Sequence, residues 1–142
     1  MMPTRISSLF FLFLLSSKVF AKPVALEVKD AWARPTIGDG RMSAAYFEVK
    51  NVSDKDIRLT GAEIEIGTAE IHESLIENGV MRMHHRPELR IEAGETKSFA
   101  PGGLHVMLMG LKQPLETGKS FHMTLKTADH SSVDLTVQIR QP

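Results

Sequence analysis

The chain has 142 residues, with 17 basic and 17 acidic side chains, six histidines, eight methionines and no cysteine. A formal charge of zero gives no sign of the basic excess expected of a surface that binds nucleic acid or an anionic membrane. The missing thiol excludes disulfides and the cysteine-ligated blue-copper centre, leaving imidazole and thioether to build any soft-metal site.

The chain opens on an export signal. Arg5 and the amino terminus precede an apolar run from Leu9 to Leu15, and Val19, Phe20 and Ala21 form a signal-peptidase site that places cleavage after Ala21. That run is far shorter than the roughly 20 residues that cross a bilayer, so stable membrane insertion is not expected. No cysteine follows the cut to carry a lipid. The expected organisation is a signal peptide, residues 1–21, and one mature periplasmic domain, residues 22–142, long enough to bury a single core. Loss of Arg5 and Lys18 leaves 15 basic against 17 acidic residues, a net charge of −2. Without disulfides, burial alone must hold this domain together.

The mature domain has a side-chain period of two. A first strand is expected from Val24 to Val28, followed by Trp32, which reads as packing, and the turn Gly38-Asp39-Gly40. Ala45, Phe47 and Val49 then alternate with Tyr46, Glu48 and Lys50, and a turn covers Asn51 to Asp54. From Ile57 to Ile66 the apolar parity changes between Leu59 and Ala62, which predicts a bulge near Gly61. Strands follow at Glu70 to Ile76, Val80 to His85, Lys97 to Ala100 and Leu104 to Met109. The last two are separated by Pro101-Gly102-Gly103. Phe121, Met123 and Leu125 alternate with His122, Thr124 and Lys126, and Val133 to Ile139 closes the chain with the same alternation. No helix, linker, repeat or low-complexity stretch is read. Many short strands divided by turns predict an all-β sandwich with Greek-key connections.

Asn78-Gly79 is the preferred two-residue type I′ hairpin loop. It pairs Ile76 with Met81, Ser74 with Met83 and His72 with His85, and sends all six side chains to one face. Met83 then lies diagonal to His72, within reach of long side chains. On the strand from Leu104, the apolar set Leu104, Val106 and Leu108 suits a core, which leaves His105, Met107 and Met109 on the other face.

The candidate ligands are therefore His72, Met83, His105 and Met107, separated by ten, twenty-one and one intervening residues. Two imidazoles and two thioethers form a neutral set that stabilises copper(I) over copper(II). Met81 and Met109 are divided evenly between flexible core filling and a place near the metal. His85, beside His72, is an auxiliary ligand candidate, and His84 a polar residue near the following loop. Met123 is in phase with core positions, whereas His122 and His130 belong at the surface.

These four residues resemble, residue for residue and gap for gap, the copper(I)-binding signature of the periplasmic copper A chaperone family, also known as PCuAC or DUF461. The stretches Asp30 to Pro35, Gly79 to Met83 and Pro101 to Leu111 are similar to that family as well, and the likeness spans essentially the whole mature chain. Ser74 departs from it, since many members carry methionine two residues after the first histidine. The resemblance implies a cupredoxin-like Greek-key β-sandwich and a non-enzymatic copper(I) chaperone. It further implies delivery to the copper A centre of cytochrome c oxidase subunit II, or to a thiol-bearing assembly factor. A monomer is expected. One site is also expected, because the sequence lacks the histidine- and methionine-rich tail of some relatives.

Thioethers hold copper(I) less strongly than thiolates, so copper would pass to a cysteine-containing acceptor by ligand exchange. Because imidazole must be neutral to bind, affinity is expected to fall with pH through the imidazole range. An oxygenase that chelates copper through an amino-terminal histidine is not supported, since Lys22 stands at the expected mature terminus. Hydrolases are not supported either, as no Gly-x-Ser-x-Gly elbow is present. The alternative function is a copper-buffering or copper-tolerance protein with no dedicated oxidase acceptor. An adhesion sandwich whose methionines are core is the remaining alternative.

Overall fold

The computed structural model describes residues 25–142. The expected signal peptide, its cleavage after Ala21 and the next three residues lie outside the described residues. Ten strands and no helix make up the described chain: β1 (Leu26–Ala33), β2 (Ser43–Asn51), β3 (Ile57–Ile64), β4 (Thr68–Glu77), β5 (Val80–His85), β6 (Leu89–Ile91), β7 (Thr96–Phe99), β8 (Leu104–Met109), β9 (Ser120–Thr127) and β10 (Ser132–Ile139).

Alternation drives this all-β architecture, because each strand buries one row of side chains and solvates the next. In β10, Leu135, Val137 and Ile139 are buried between exposed Asp134, Thr136 and Gln138. The pairings run from β4 through β8, β2, β1, β10, β9 and β3 and return to β4, so the sheet closes as a barrel-like sandwich. Closure removes free edges from that circuit. β5 is attached outside it, on β4, and β6 is attached on β3. β1 with β10 and β7 with β8 are parallel pairs, which records the crossovers of the chain. Phe47 and Phe99 stack at 4.4 Å between ring centres in the interior, together with Leu59, Ile71, Val106, Leu108 and Leu125.

Two strands differ from the sequence expectation. β1 continues past Val28 to Ala33, because a register shift between Lys29 and Trp32, with Asp30 at φ 55°, absorbs the break in alternation. β6 has only three residues, too short for periodicity to mark, yet Leu89 and Ile91 are buried around exposed Arg90. The change of parity in β3 is met by a register shift between Leu59 and Gly61. Tyr46, on the polar side of the β2 alternation, is nevertheless only 6% exposed. Trp32 lies over it at 4.8 Å between ring centres, and the Arg34 guanidinium carbon is 5.8 Å from the centre of its ring.

A close approach holds the turn between β3 and β4 against β8. A Cβ on Gly67 would stand 2.7 Å from the Met109 carbonyl oxygen, so only glycine fits there without moving backbone. This seats β4 beside β8 in the register that pairs Thr68 with Met109 and His72 with His105.

Candidate metal centre

The hairpin at Asn78-Gly79 forms with both residues at positive φ, 51° and 78°, as a type I′ turn requires. It pairs His72 with His85, Ser74 with Met83 and Ile76 with Met81. On its other side β4 pairs with β8, which sets His72 opposite His105 and Glu70 opposite Met107. Ile71 and Val106, the alternating neighbours in this ladder, are fully buried in the core. His72, Met83, His105 and Met107 therefore share the outer face of three adjacent strands. His72 and His105 form one row, with Met83 one row away on β5 and Met107 one row away in the other direction on β8.

Each of the two facing histidines is fixed by one ring nitrogen and left open at the other. His105 Nδ1 donates to the Gly103 carbonyl at 3.0 Å, which leaves the Nε2 lone pair free. His72 Nε2 donates to Glu70 Oε2 at 2.9 Å, which leaves Nδ1 free. The Glu70 carboxyl is held below the usual carboxylate range by this bond first, then by the charges of His85 and His72, against an opposing desolvation. Among the described residues, His72 Nδ1 and His105 Nε2 are the buried side-chain polar atoms with no hydrogen-bond partner. Orphaning a buried polar atom costs roughly 1–3 kcal/mol, so two of them in one row mark a place for a ligand. A second hydrogen bond that fixes the tautomer of a ligating imidazole is the usual support of a metal-bound histidine.

The ring separation fits a shared ion. A metal at roughly 2.0–2.1 Å from an imidazole nitrogen lies about 3.2 Å from the ring centre, so two rings that share it have centres within about 6.4 Å. His72 and His105 are 5.9 Å apart. His72 and His85 are 5.4 Å apart and meet the same limit, but His85 is exposed and flanks His72 on the opposite strand from His105. The buried, tautomer-fixed partner of His72 is thus His105. Among the described residues, no group of three or more histidine, aspartate and glutamate side chains is placed to hold a metal ion.

A cavity of about 310 Å³ opens beside His105. Met83, Met107 and Met42 contribute sulfur to its lining, and Tyr46 and Arg34 complete the far side. Small residues lie between the methionines: Ser74 separates Met83 from the Gly103 backbone, and Ala44 stands opposite Met107. Ser74, the position that departs from the family pattern, lines the same cavity beside Met83. A somewhat larger cleft, about 350 Å³, is lined by Asp56, Ile57, Arg58, Thr127, Ala128 and Asp129 and presents neither imidazole nor sulfur.

A family model described as "Putative lipoprotein LpqE-like" matches residues 26–139. The chain belongs to the LpqE-like, or PCuAC, family. A Leifsonia xyli subsp. xyli (strain CTCB07) protein that also bears a lipoprotein name is 37% identical over 117 residues, 81% of this chain and 69% of the relative. The solution structure of CuI-DR1885 from Deinococcus radiodurans is 32% identical, with 84% of this chain and 83% of that chain covered and a TM-score of 0.63. The copper-bound PCuAC domain from PmoF2 has a TM-score of 0.70 over 83% of this chain and 94% of that one, and its 19% identity speaks to the fold alone. The cupredoxin-like sandwich expected from the sequence is the fold of this LpqE-like domain.

The remaining histidines and methionines of the LpqE-like domain fall in distinct places. Met123 is buried, and His122 and His130 are exposed, as their phase indicates. Met81 is 60% exposed on the metal-centre face, which removes the core-filling reading for it. Met109 is half-buried beside Thr68 on the same face. His84 is in strand β5, as expected, and its Nε2 is 2.8 Å from Glu77 Oε1 on the opposite face. Sequence reasoning missed Glu70, Met42, Tyr46 and Arg34. Glu70 was discoverable, since it stands two residues before His72 and therefore on the same face.

Proposed function

We propose that this domain is an exported copper(I) chaperone that carries one cuprous ion on His72, Met83, His105 and Met107 and releases it by ligand exchange. The observation that carries the proposal is the pair of buried, unpartnered nitrogens, His72 Nδ1 and His105 Nε2, in a row flanked by methionines on both sides. Neutral imidazoles and thioethers favour copper(I), and a shell without thiolate gives the ion up to one that has thiolate. Family membership and the copper(I) named for the Deinococcus relative support the same reading. The half-exposed Met83 on the outermost strand offers the ligand that an incoming thiolate displaces first. No bond of a substrate is made or broken, so the role is transport rather than catalysis.

The acceptor we propose is the copper A site of cytochrome c oxidase subunit II, or a thiol-bearing assembly factor that serves it, met in the periplasm by a monomeric chaperone. A competitive copper(I) titration tests the binding step. One equivalent is expected for the parent, with a loss of affinity for His72→Ala, Met83→Ala, His105→Ala and Met107→Ala. Binding undiminished in all four would end the proposal. Loss of oxidase activity under copper limitation in a deletion strain tests delivery. If growth under copper excess suffers while oxidase activity is intact, the protein buffers copper instead.

A further inference from the structure

Five of the six methionines in the described chain lie on or beside the metal-centre face, and of the three that the four-ligand arrangement does not use, Met42, Met81 and Met109, Met42 is the one that lines the cavity beside His105. It stands immediately before β2, 57% exposed, two residues from Ala44. Ala44 pairs with Met107, and Ser43 pairs with Leu108. Beyond them the backbone contact resumes one residue out of register, as Leu111 N–H donates to the Arg41 carbonyl at 3.0 Å past Gly110 at φ 57°. Met42 thus sits at the point where this register slips, next to the Ser43–Leu108 pair. It lines the same cavity as Met83, His105 and Met107, on the wall opposite the hairpin.

Packing does not account for this side chain. A methionine that fills a core is buried, as Met123 is at 1% exposure, whereas Met42 keeps most of its surface in solvent. An exposed thioether beside a cavity already lined by two thioethers and an imidazole has the chemistry of a ligand.

We propose that Met42 is a fifth, exchange ligand for copper(I), engaged during capture and release rather than in the resting shell. This rests on the copper(I) reading of the site. The Met42 sulfur donates a lone pair as the copper–sulfur bond to Met83 breaks, so the ion remains cuprous and keeps its coordination number while the hairpin ligand departs. His72, His105, Met107 and Met42 then hold copper, and an incoming thiolate approaches from the side that Met83 has left. A direct dissociation of Met83 would instead leave the ion short of a ligand at the moment of transfer.

The test compares the parent with Met42→Leu, which retains an apolar side chain of similar size, and with Met83→Leu. Each is loaded with copper(I), and transfer to glutathione is followed by stopped flow. In parallel, methionine methyl groups labelled with carbon-13 are observed by NMR as copper(I) is added. One equivalent bound by both parent and Met42→Leu is expected, with transfer about tenfold slower in the variant, the factor that one lost weak interaction in the transition state produces. The Met42 methyl resonance is expected to shift with copper and to shift further in Met83→Leu, where the exchange arrangement becomes the populated one. Equal transfer rates together with an unmoved Met42 methyl overturn the exchange role while leaving the copper site intact. A parent that fails to bind one equivalent overturns the copper reading itself.

Discussion

Glu70 is expected to set the copper affinity without touching the ion. Its Oε2 accepts the His72 Nε2–H bond at 2.9 Å, and its side chain is 44% exposed. A shielded hydrogen bond to a charged group contributes roughly 1.5–3 kcal/mol. Solvent screening at this exposure reduces the charged part to about 0.5–1 kcal/mol. In Glu70→Gln an oxygen can still accept the bond but the charge is gone, so copper(I) affinity should fall by roughly two- to fivefold, the equivalent of that energy. Glu70→Ala removes the acceptor and frees the ring to turn, for which a loss of about tenfold is expected, the low end for residues that orient metal ligands. Competitive copper(I) titration at neutral pH measures both, with circular dichroism to establish that the variants fold. Affinity in Glu70→Ala equal to the parent would refute the claim that this carboxylate orients His72.

The same residue type on two faces should behave in opposite ways. Met123→Ala, which empties a fully buried position, is expected to cost about 2–5 kcal/mol in urea unfolding while the folded protein still titrates one copper. Met83→Leu should leave the urea midpoint nearly unchanged and bind copper(I) less tightly, and the reverse pattern would place Met83 in the core. Gly67→Ala drives a Cβ against the Met109 carbonyl and is expected to destabilise by roughly 1–3 kcal/mol, since backbone rather than a flexible side chain must move; an unchanged midpoint would show that the contact is slack. The Asp56 carboxyl is held below its ordinary range by the Ala93 N–H and then by Arg90. Its folded value lies below its unfolded value, so its stabilisation is complete above the ordinary aspartate range and disappears as pH falls through the folded value. Asp56→Asn should therefore unfold more easily than the parent at neutral pH, with the gap closing in acid. A gap that stays constant to low pH would assign the effect to something other than this charge.

Much of the fold could be read from the order of residues because the signals are local. Alternation marks β2, β9 and β10, and Asn78-Gly79 marks the hairpin with the register that places Met83 opposite Ser74. The parity change at Gly61 similarly announces the shift in β3. β1 past Val28 and the whole of β6 were not legible. The first passes through a non-glycine residue at positive φ, and the second is three residues whose burial comes from β3 lying beside it. Neither pairing leaves a mark within a short window of sequence.

The order of the chain by itself determined which side chains share a face of each strand, because Cβ direction alternates along any strand whatever its neighbours are. It therefore selected His72, Met83, His105 and Met107 as candidates and kept Met123 apart from them. Only tertiary structure decided that β4 and β8 lie side by side with His72 opposite His105, that Glu70 and the Gly103 carbonyl each bind one imidazole nitrogen, and that Met42 lines the same cavity from the segment before β2. Those relations join residues distant in sequence, and their register follows from how the closed sheet packs its core, which no single strand specifies.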